Sequence, residues 1–253
     1  MNPHSLRCSL RALALQYATA QGLAVDQSHP TAILFQEVAG NFFPESFANI
    51  TSRPDWNARL QKVHAGASGH MEMQSSNSSD ALLMNVFCHP RIGEWKGIRD
   101  LLGLEKVEPQ FGFKPGVALD GGLTDDTEID MVLDGLFCEA KLTEKDFCQK
   151  REEVVRSYSG LGTCFHEEHL PRKAGEYDNY QMVRNLLAAD QHGKDHVLLC
   201  DERRPDLARR YFETVACLRA VDMRRRCRVV FWQELARNCG PGLAAFLEEK
   251  YGI

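Results

Sequence analysis

The sequence predicts an α/β sandwich, with helices packed on a central β-sheet. Predicted helices and strands alternate through the second half of the chain, and chains with this alternation bury their elements in layers around one sheet. Two apolar runs, residues 128–133 and 136–142, are joined by Asp134-Gly135, and Asp-Gly between such runs is a strong hairpin signal. The sheet is therefore expected to contain this hairpin.

The first third of the chain is predicted to be mostly helical. Polar side chains interrupt the apolar run in residues 5–23, which indicates a helix rather than a cleaved signal peptide. Residues 31–65 continue a mostly helical pattern, with breaks expected at Pro44 and Pro54.

A segment rich in Gly and Ser, residues 66–79, predicts a loop after this region. A helix is expected over residues 78–88, with Pro90 just beyond its end. We therefore divide the chain into a mostly helical N-terminal extension, residues 1–70, and a second domain, residues 71–253.

The second domain is predicted to contain further elements around the hairpin. Thr143 is a good N-cap residue, so a helix is expected to run from it to about Tyr158. The other expected elements are a strand over 116–120, a helix over 177–190, a strand over 196–200, a helix over 205–221 and a strand over 227–231.

Composition and charge limit the function classes. The chain has 253 residues, 43% of them hydrophobic and 26% charged, which is typical of a globular protein. No stretch approaches the roughly 18 apolar residues of a membrane span, so no membrane partner is expected. The net charge of -5 does not favour a protein that coats nucleic acid nonspecifically. Nine cysteines, an odd number and several of them in apolar runs, suggest the reducing cytoplasm.

The predicted hairpin gathers charged residues on one face. Counting outward from a two-residue turn, Asp130 lies opposite Glu139, and Glu128 lies opposite Lys141. Side chains alternate between the faces of a strand, so these four share one face and the apolar residues share the core face. Two carboxylates held about 4.5–5.5 Å apart at their Cβ atoms repel each other unless a cation lies between them.

A divalent cation would relieve that repulsion. Mg²⁺ favours one or two carboxylates together with waters and phosphate oxygens. Lys141 would then be placed to activate a water or to neutralise charge on a phosphate. The alternative is an exposed charge ladder in which Glu128 simply pairs with Lys141.

Asp130, followed after eight residues by Glu139-Ala140-Lys141, resembles the motif of the PD-(D/E)XK nuclease superfamily. In this chain Thr-Glu-Ile-Asp130 replaces the nominal Pro-Asp of that motif. The resemblance covers roughly residues 70–253. Five segments are similar to proposed bacterial restriction endonucleases: Ser75–Ser79, Thr127–Asp130, Leu136–Lys141, Tyr177–Gln181 and Val229–Leu235.

The resemblance implies a restriction-endonuclease-like three-layer sandwich, a mixed β-sheet flanked by helices, in the nuclease-like domain. It implies hydrolysis of phosphodiester bonds with Mg²⁺ or Mn²⁺ as cofactor. By position, Asp130 and Glu139 would be the metal ligands and Lys141 the catalytic lysine. DNA is the expected partner, while RNA as the substrate and a homodimer as the assembly stay open.

Further site residues are suggested by this resemblance. Gln181 and Arg184 are neighbours on one helix face, where they would contact a phosphate or the active site, or else face solvent. Nucleases of this kind often add a residue from the first core helix. Four candidates are present there: Glu72, Asn77, Asp80 and Asn85.

Two rival functions and one basic segment remain. The chain could be a catalytically silent nuclease fold that binds DNA or assists assembly. It could instead bind zinc through Cys164, His166 and His169, although no fourth ligand is evident nearby. A segment dense in arginine could follow a DNA backbone or form a solvated helix face: Arg203, Arg204, Arg209, Arg210, Arg219, Arg224, Arg225, Arg226 and Arg228.

Overall fold

The computed structural model of the chain describes residues 1–63 and 70–253, so residues 66–69 of the predicted loop lie outside the described residues. Within the described part the strands are β1 (Val25–Asp26), β2 (Leu34–Phe35), β3 (Pro109–Gln110), β4 (Val117–Ala118), β5 (Thr124–Asp125), β6 (Met131–Leu133), β7 (Leu136–Ala140), β8 (Lys150–Arg151), β9 (Arg172–Lys173), β10 (Glu176–Tyr177), β11 (Asp195–Cys200) and β12 (Cys227–Phe231). The α-helices described are α1 (Pro3–Ala20), α2 (Pro44–Ser52), α3 (Pro54–Arg59), α4 (Ser79–Phe87), α5 (Lys96–Leu102), α6 (Glu152–Arg156), α7 (Leu161–Cys164), α8 (Tyr180–Gln191), α9 (Pro205–Ala216), α10 (Val221–Arg225), α11 (Trp232–Arg237) and α12 (Pro241–Tyr251).

A five-stranded mixed sheet in the order β12–β11–β7–β6–β3 forms the centre of the molecule. β11 runs parallel to both β12 and β7, whereas β6 is antiparallel to β7 and β3 is antiparallel to β6. Parallel neighbours require long crossover connections, and here the crossovers carry helices, α6 to α8 before β11 and α9 to α10 before β12. The mixed α/β architecture predicted from the sequence is confirmed.

Apolar side chains cover both faces of this sheet. On one face Phe137 and Leu198 join a buried cluster with residues of α8 and α9. On the other face Cys138 and Leu199 join a second buried cluster with residues of α4, α11 and α12. The molecule therefore has three layers, with the sheet between two layers of helices.

The N-terminal third packs against the core at two places. Leu6 and Leu10 of α1 lie in the same buried cluster as residues of α12. Trp56 of α3 lies in another buried cluster with Met84 of α4. The predicted breaks at the two prolines are confirmed, because each proline starts a new helix, α2 or α3, in a first turn where a missing N–H costs nothing. The end of α3 lies beside the start of α4, where Arg59 contacts Asp80.

The hairpin has the predicted register, with Leu133 opposite Leu136 and Asp134 at φ 43°, as a tight turn requires. The first strand is shorter than predicted and begins at Met131. Asp130 interrupts the ladder because its Oδ2 accepts a hydrogen bond of 2.9 Å from the backbone N–H of Ala140. Every residue of β7 is buried, so the alternative of an exposed charge ladder does not hold for this strand.

The helix predicted from Thr143 to Tyr158 is wrong over its first half. Only α6 is helical there, and the segment before it is irregular. The guanidinium of Arg204 donates to the carbonyl oxygens of Glu144 and Lys145 at 2.8 and 3.1 Å, which takes those acceptors away from a helix. Cys148 adopts a φ of 60°, a left-handed conformation that also breaks a helix.

Other predicted elements agree closely with the structure. Ser78 caps α4 by accepting a hydrogen bond from the N–H of Ala81, and β11 and β12 lie where strands are expected. The helix predicted over 205–221 ends at Ala216, and a separate α10 follows. Among the residues described, no helix combines the length and apolar character needed to cross a bilayer.

Candidate active site

Three carboxylates from separate segments of the chain lie near the end of β7. Glu139 belongs to β7 itself, Asp130 precedes β6, and Asp80 lies in the first turn of α4. Glu139 and Asp80 are buried. Burial, followed by the charges of Glu139 and Asp80, raises the pKa of the Asp130 carboxyl well above its ordinary value. Asp130 is therefore close enough to both Glu139 and Asp80 to be repelled by them.

Lys141 is the cation nearest to Glu139. Its Nζ lies 2.7 Å from Glu139 Oε1, and its side chain is only 8% exposed. Burial opposes the charged form, but Glu139, Glu144 and Asp130 outweigh burial and raise the pKa of the Lys141 ammonium. The side chain is thus held as an ammonium.

The backbone of Lys141 is fixed on both sides. Its N–H donates to the carbonyl oxygen of Leu199 at 2.8 Å, and its carbonyl oxygen accepts from Trp232 Nε1 at 2.9 Å. The first contact extends the pairing of β7 with β11 by one residue. The lysine is therefore presented from a rigid position at the end of the central strand.

Asn185 of α8 holds the second oxygen of Glu139. Its Nδ2 donates to Glu139 Oε2 at 2.7 Å, while its Oδ1 accepts from Arg184 Nη2 at 2.9 Å. Arg184 thus reaches the centre through Asn185, not by direct contact with an acid of the hairpin. Sequence reasoning missed Asn185, although it lies one helical turn after Gln181 and therefore on the same face.

Gln181 does not join the centre in the described part of the chain. Its backbone N–H donates to the carbonyl oxygen of Phe147 at 3.0 Å. That bond ties the start of α8 to the irregular segment after β7. Gln181 therefore stays a candidate for substrate contact only.

Among the four candidates from the first core helix and the segment before it, Asp80 is the one electrostatically linked to Asp130. Glu72 pairs with Lys62 at 3.1 Å. The other two are amides that hold the chain: Asn77 donates to the carbonyl oxygen of Thr31, and Asn85 donates to those of Asn41 and Ala81.

Two cations from the N-terminal third also reach the centre. Arg59 Nη2 lies 3.0 Å and Lys62 Nζ lies 2.9 Å from the same oxygen, Asp80 Oδ2. Arg59 Nη1 lies 3.4 Å from Glu128 Oε2. Glu128 therefore pairs with Arg59, and the harmless ladder of Glu128 with Lys141 is not formed. No motif in the sequence signals these long-range contacts.

Glu144 joins the end of β7 to the start of α4. Its Oε1 accepts from Ser79 Oγ at 2.6 Å, and its Oε2 accepts from the backbone N–H of Leu142 at 2.7 Å. A cavity of about 550 Å³ opens beside this link, with Glu72, Ser79 and Glu144 in its wall. The cavity borders Glu144, but its wall does not include Asp130, Glu139 or Lys141.

The donor set suits a hard divalent cation. Carboxylate oxygens are the ligands that Mg²⁺ and Mn²⁺ prefer, and the Glu139 carboxylate is buried, with Oε1 against the Lys141 ammonium and Oε2 against Asn185. Over residues 1–63 and 70–253, however, His, Cys, Asp and Glu side chains do not form a ready group of three around one point. The acids are instead in contact with ammonium and guanidinium groups.

A comparison with family models decides the family. The REase-ARP model, described as restriction endonuclease associating with ARP, matches residues 11–252. The chain belongs to the REase-ARP family. Neither the curated proteins nor the solved structures contain a match to it. With a five-stranded mixed sheet between helices, this REase-ARP chain has a restriction-endonuclease-like fold.

The zinc alternative finds little support in this REase-ARP chain. Cys164 is buried in an apolar cluster, and burial raises the pKa of its thiol, which disfavours the thiolate that zinc needs. His166 and His169 face Glu168, with nitrogen to oxygen distances of 3.6 and 3.9 Å. These side chains are therefore better explained by packing and surface ion pairs.

The basic segment of this REase-ARP chain is largely used to bind backbone. Arg224 Nε donates to the carbonyl oxygen of Leu218 at 2.7 Å, and Arg226 Nη1 donates to that of Lys194 at 2.9 Å. The fully buried Arg204 binds the segment after β7 in the same way. Arg209 and Arg225 are exposed, and Arg209 pairs with Glu213 at 3.8 Å.

Proposed function

We propose that the chain is a metal-dependent nuclease of the PD-(D/E)XK type, which hydrolyses phosphodiester bonds in DNA. One observation carries the proposal: Asp130, Glu139 and Lys141, joined by Asp80, converge at the end of β7 in a chain of a restriction-endonuclease-like family. A charged set collected from separate elements at a buried position is costly to keep, so a function is the best reason for it.

Asp130, Glu139 and Asp80 would hold Mg²⁺ or Mn²⁺. When bound, such an ion lowers the pKa of a water and neutralises charge on a phosphate. Asn185 fixes the orientation of the Glu139 carboxylate through the contact at 2.7 Å. Lys141, held as an ammonium, would stabilise negative charge as it builds on the phosphate that is attacked.

The substrate and compartment are part of the same proposal. The family description names a restriction endonuclease, and this supports DNA over RNA as the substrate. The nine cysteines are free thiols in the structure, which fits a reducing compartment such as the cytoplasm. A homodimer would bring two such centres to one duplex, and the mass of the protein in solution tests that assembly.

Incubation of the purified protein with plasmid, linear duplex, single-stranded DNA and RNA tests the function. We expect cleavage of DNA with Mg²⁺ or Mn²⁺ and none with a chelator. Asp130→Asn and Glu139→Gln should abolish cleavage. Asp195→Asn is the matched control, because Asp195 is a carboxylate opposite the other end of β7 and pairs with Arg228. Cleavage by Asp130→Asn at the wild-type rate would refute the proposal.

A catalytically silent nuclease fold is the second candidate, and the cations that hold the site acids favour it. It predicts DNA binding without cleavage under every metal condition. The same experiment therefore separates the two functions, provided that DNA binding is measured on the same samples.

A further inference from the structure

Arg59 and Lys62 differ from the other charged groups of the centre because both lie in the N-terminal extension, residues 1–70. Arg59 ends α3, and its side chain is only 8% exposed. Its Nε is buried and has no hydrogen-bond partner in the described structure. The guanidinium lies 5.5 Å from the ring centre of Phe111. Its Nε–H donor is thus left unused inside the site.

Both cations contact the same oxygen of Asp80. The distances are 3.0 Å from Arg59 Nη2 and 2.9 Å from Lys62 Nζ, and the acceptor is Oδ2 in each case. Burial opposes the charge on Arg59, but Asp80, Asp130 and Glu128 raise the pKa of its guanidinium. A divalent cation beside Asp80 would meet two positive charges at short range, which is strongly unfavourable in a buried setting.

The cations and the metal therefore compete for one carboxylate. Phosphate is the anion that suits both groups, since guanidinium binds it with paired hydrogen bonds and ammonium binds it as a point charge. A nucleic-acid backbone that enters the site would offer Arg59 and Lys62 new partners. Asp80 would then be released to the metal.

We propose that Arg59 and Lys62 close Asp80 to metal in the resting protein, and that the phosphate backbone of bound DNA draws them away. This inference rests on the proposed nuclease function. Metal binding and DNA binding then strengthen each other. DNA phosphate takes the two cations away from Asp80, and a metal on Asp80 leaves the two cations free for phosphate. The N-terminal third acts as a latch that keeps the centre inactive until substrate is present.

The test is binding of Mn²⁺ alone, followed by the electron paramagnetic resonance signal of the free ion. Without DNA, we expect the Kd of Arg59→Gln for Mn²⁺ to be at least about tenfold lower than that of wild type. This corresponds to about 1.4 kcal/mol of binding free energy. Lys62→Gln should show a smaller gain. Arg53→Gln is the matched control, because Arg53 pairs with Asp55 and Glu108 and not with an acid of the centre. Its Mn²⁺ affinity should equal that of wild type.

Loss of Arg59 leaves the Asp80 carboxylate with one cation fewer, so Arg59→Gln is expected to lower the melting temperature in chelator. Mn²⁺ should restore it, with a larger upward shift than in wild type or Arg53→Gln. Lys62→Gln provides the same readout with less risk to the fold, because its side chain is 43% exposed. A purely structural ion pair predicts a Mn²⁺ shift that is equal in all variants.

The coupling itself is measured with a short duplex in the Lys141→Ala background, where cleavage is expected to be lost. In Lys141→Ala, we expect DNA to tighten Mn²⁺ binding about tenfold. In the double variant that also carries Arg59→Gln, DNA should change Mn²⁺ affinity little. If wild type, Arg59→Gln and Lys62→Gln bind Mn²⁺ with equal affinity while Asp130→Asn does not bind it, the latch is wrong and the proposed metal site stands. Mn²⁺ binding that Asp130→Asn leaves unchanged would overturn the proposed metal site as well.

Discussion

The end of β7 and the arginine-rich stretch from Arg203 to Arg228 are both dense in charge, yet the structure uses them differently. Around β7 the carboxylates contact cationic and amide side chains, and the groups involved come from β7, α3, α4 and α8. In the arginine-rich stretch the side chains mainly donate to carbonyl oxygens, as Arg224 and Arg228 do. The first region brings several carboxylates close together, whereas the second combines carbonyl acceptors with single ion pairs, such as that of Arg204 with Asp206.

This difference separates a candidate site from structural support. A guanidinium that binds carbonyl oxygens replaces hydrogen bonds that a helix end or loop would otherwise lack. Crowded carboxylates have no comparable structural benefit, because their repulsion lowers stability. Charge density in a sequence is thus a weak indicator of function, and the kind of partner is a stronger one.

The largest expected effect comes from Lys141→Ala. Turnover should fall by about a thousandfold or more, because a charge-stabilising group is lost from the proposed reaction centre. Mn²⁺ binding should persist, since an ammonium is not a metal ligand. Lys145→Ala is the matched control, four residues further along and exposed. Rates of plasmid cleavage check the prediction, and an equal loss in both variants would deny Lys141 a special role.

The second prediction concerns Arg204→Ala in the other region. The buried guanidinium donates to two carbonyl oxygens after β7 and pairs with Asp206 at 2.8 Å. Its removal should lower the free energy of unfolding by about 2–4 kcal/mol, because buried acceptors lose their donors. Urea denaturation measures the change. A loss below about 0.5 kcal/mol, typical of surface changes, would contradict the structural assignment.

Local signals made the hairpin and α4 predictable. Asp134-Gly135 specifies a tight turn, and the turn alone determines that Leu133 faces Leu136. Ser78 predicts the start of α4 because its hydroxyl can accept a hydrogen bond from one of the first free N–H groups of a helix. These predictions depend on residues within a few positions of one another, so the sequence contains what they need.

The rest of the site depends on contacts that are distant along the chain. Asn185 meets Glu139 from 46 residues away, and Arg59 meets Asp80 from 21 residues away. The helix expected after Thr143 fails because Arg204, about 60 residues later, takes its carbonyl oxygens. Packing decides these partners, and a pattern of residue types does not describe packing.

A third prediction concerns the stability of Asp130→Asn without metal. Folding raises the pKa of Asp130, so the charged carboxylate destabilises the folded state at pH values above its unfolded pKa of about 4. Asn removes that charge. The melting temperature in chelator should therefore hold or rise at pH 7, and the difference should vanish below about pH 4.

Added Mg²⁺ sharpens the same experiment. It should stabilise the wild type by mass action and Asp130→Asn much less. Asp195→Asn, whose carboxylate pairs with Arg228, is again the control. A purely structural ion pair would behave in the opposite way, because neutralising one partner leaves the other charge uncompensated. A lower melting temperature for Asp130→Asn in chelator would therefore favour a structural role for this carboxylate.

The smallest expected effect distinguishes two adjacent arginines. Arg224 donates to the carbonyl oxygen of Leu218, whereas Arg225 is exposed. Arg224→Ala should cost about 1 kcal/mol of stability and leave the salt dependence of DNA binding unchanged. Arg225→Ala should leave stability within about 0.5 kcal/mol, because surface substitutions rarely change it more.

If Arg225 follows the DNA backbone, its removal releases one counterion fewer on binding. The slope of log K against log salt should then become shallower by about 0.9 for Arg225→Ala. Titrations of a labelled duplex at several salt concentrations measure this slope for both variants. The opposite outcome is a slope that becomes shallower for Arg224→Ala and stays unchanged for Arg225→Ala. It would mean that arginines bound to carbonyl oxygens still contact DNA. Partner type would then no longer separate the two regions.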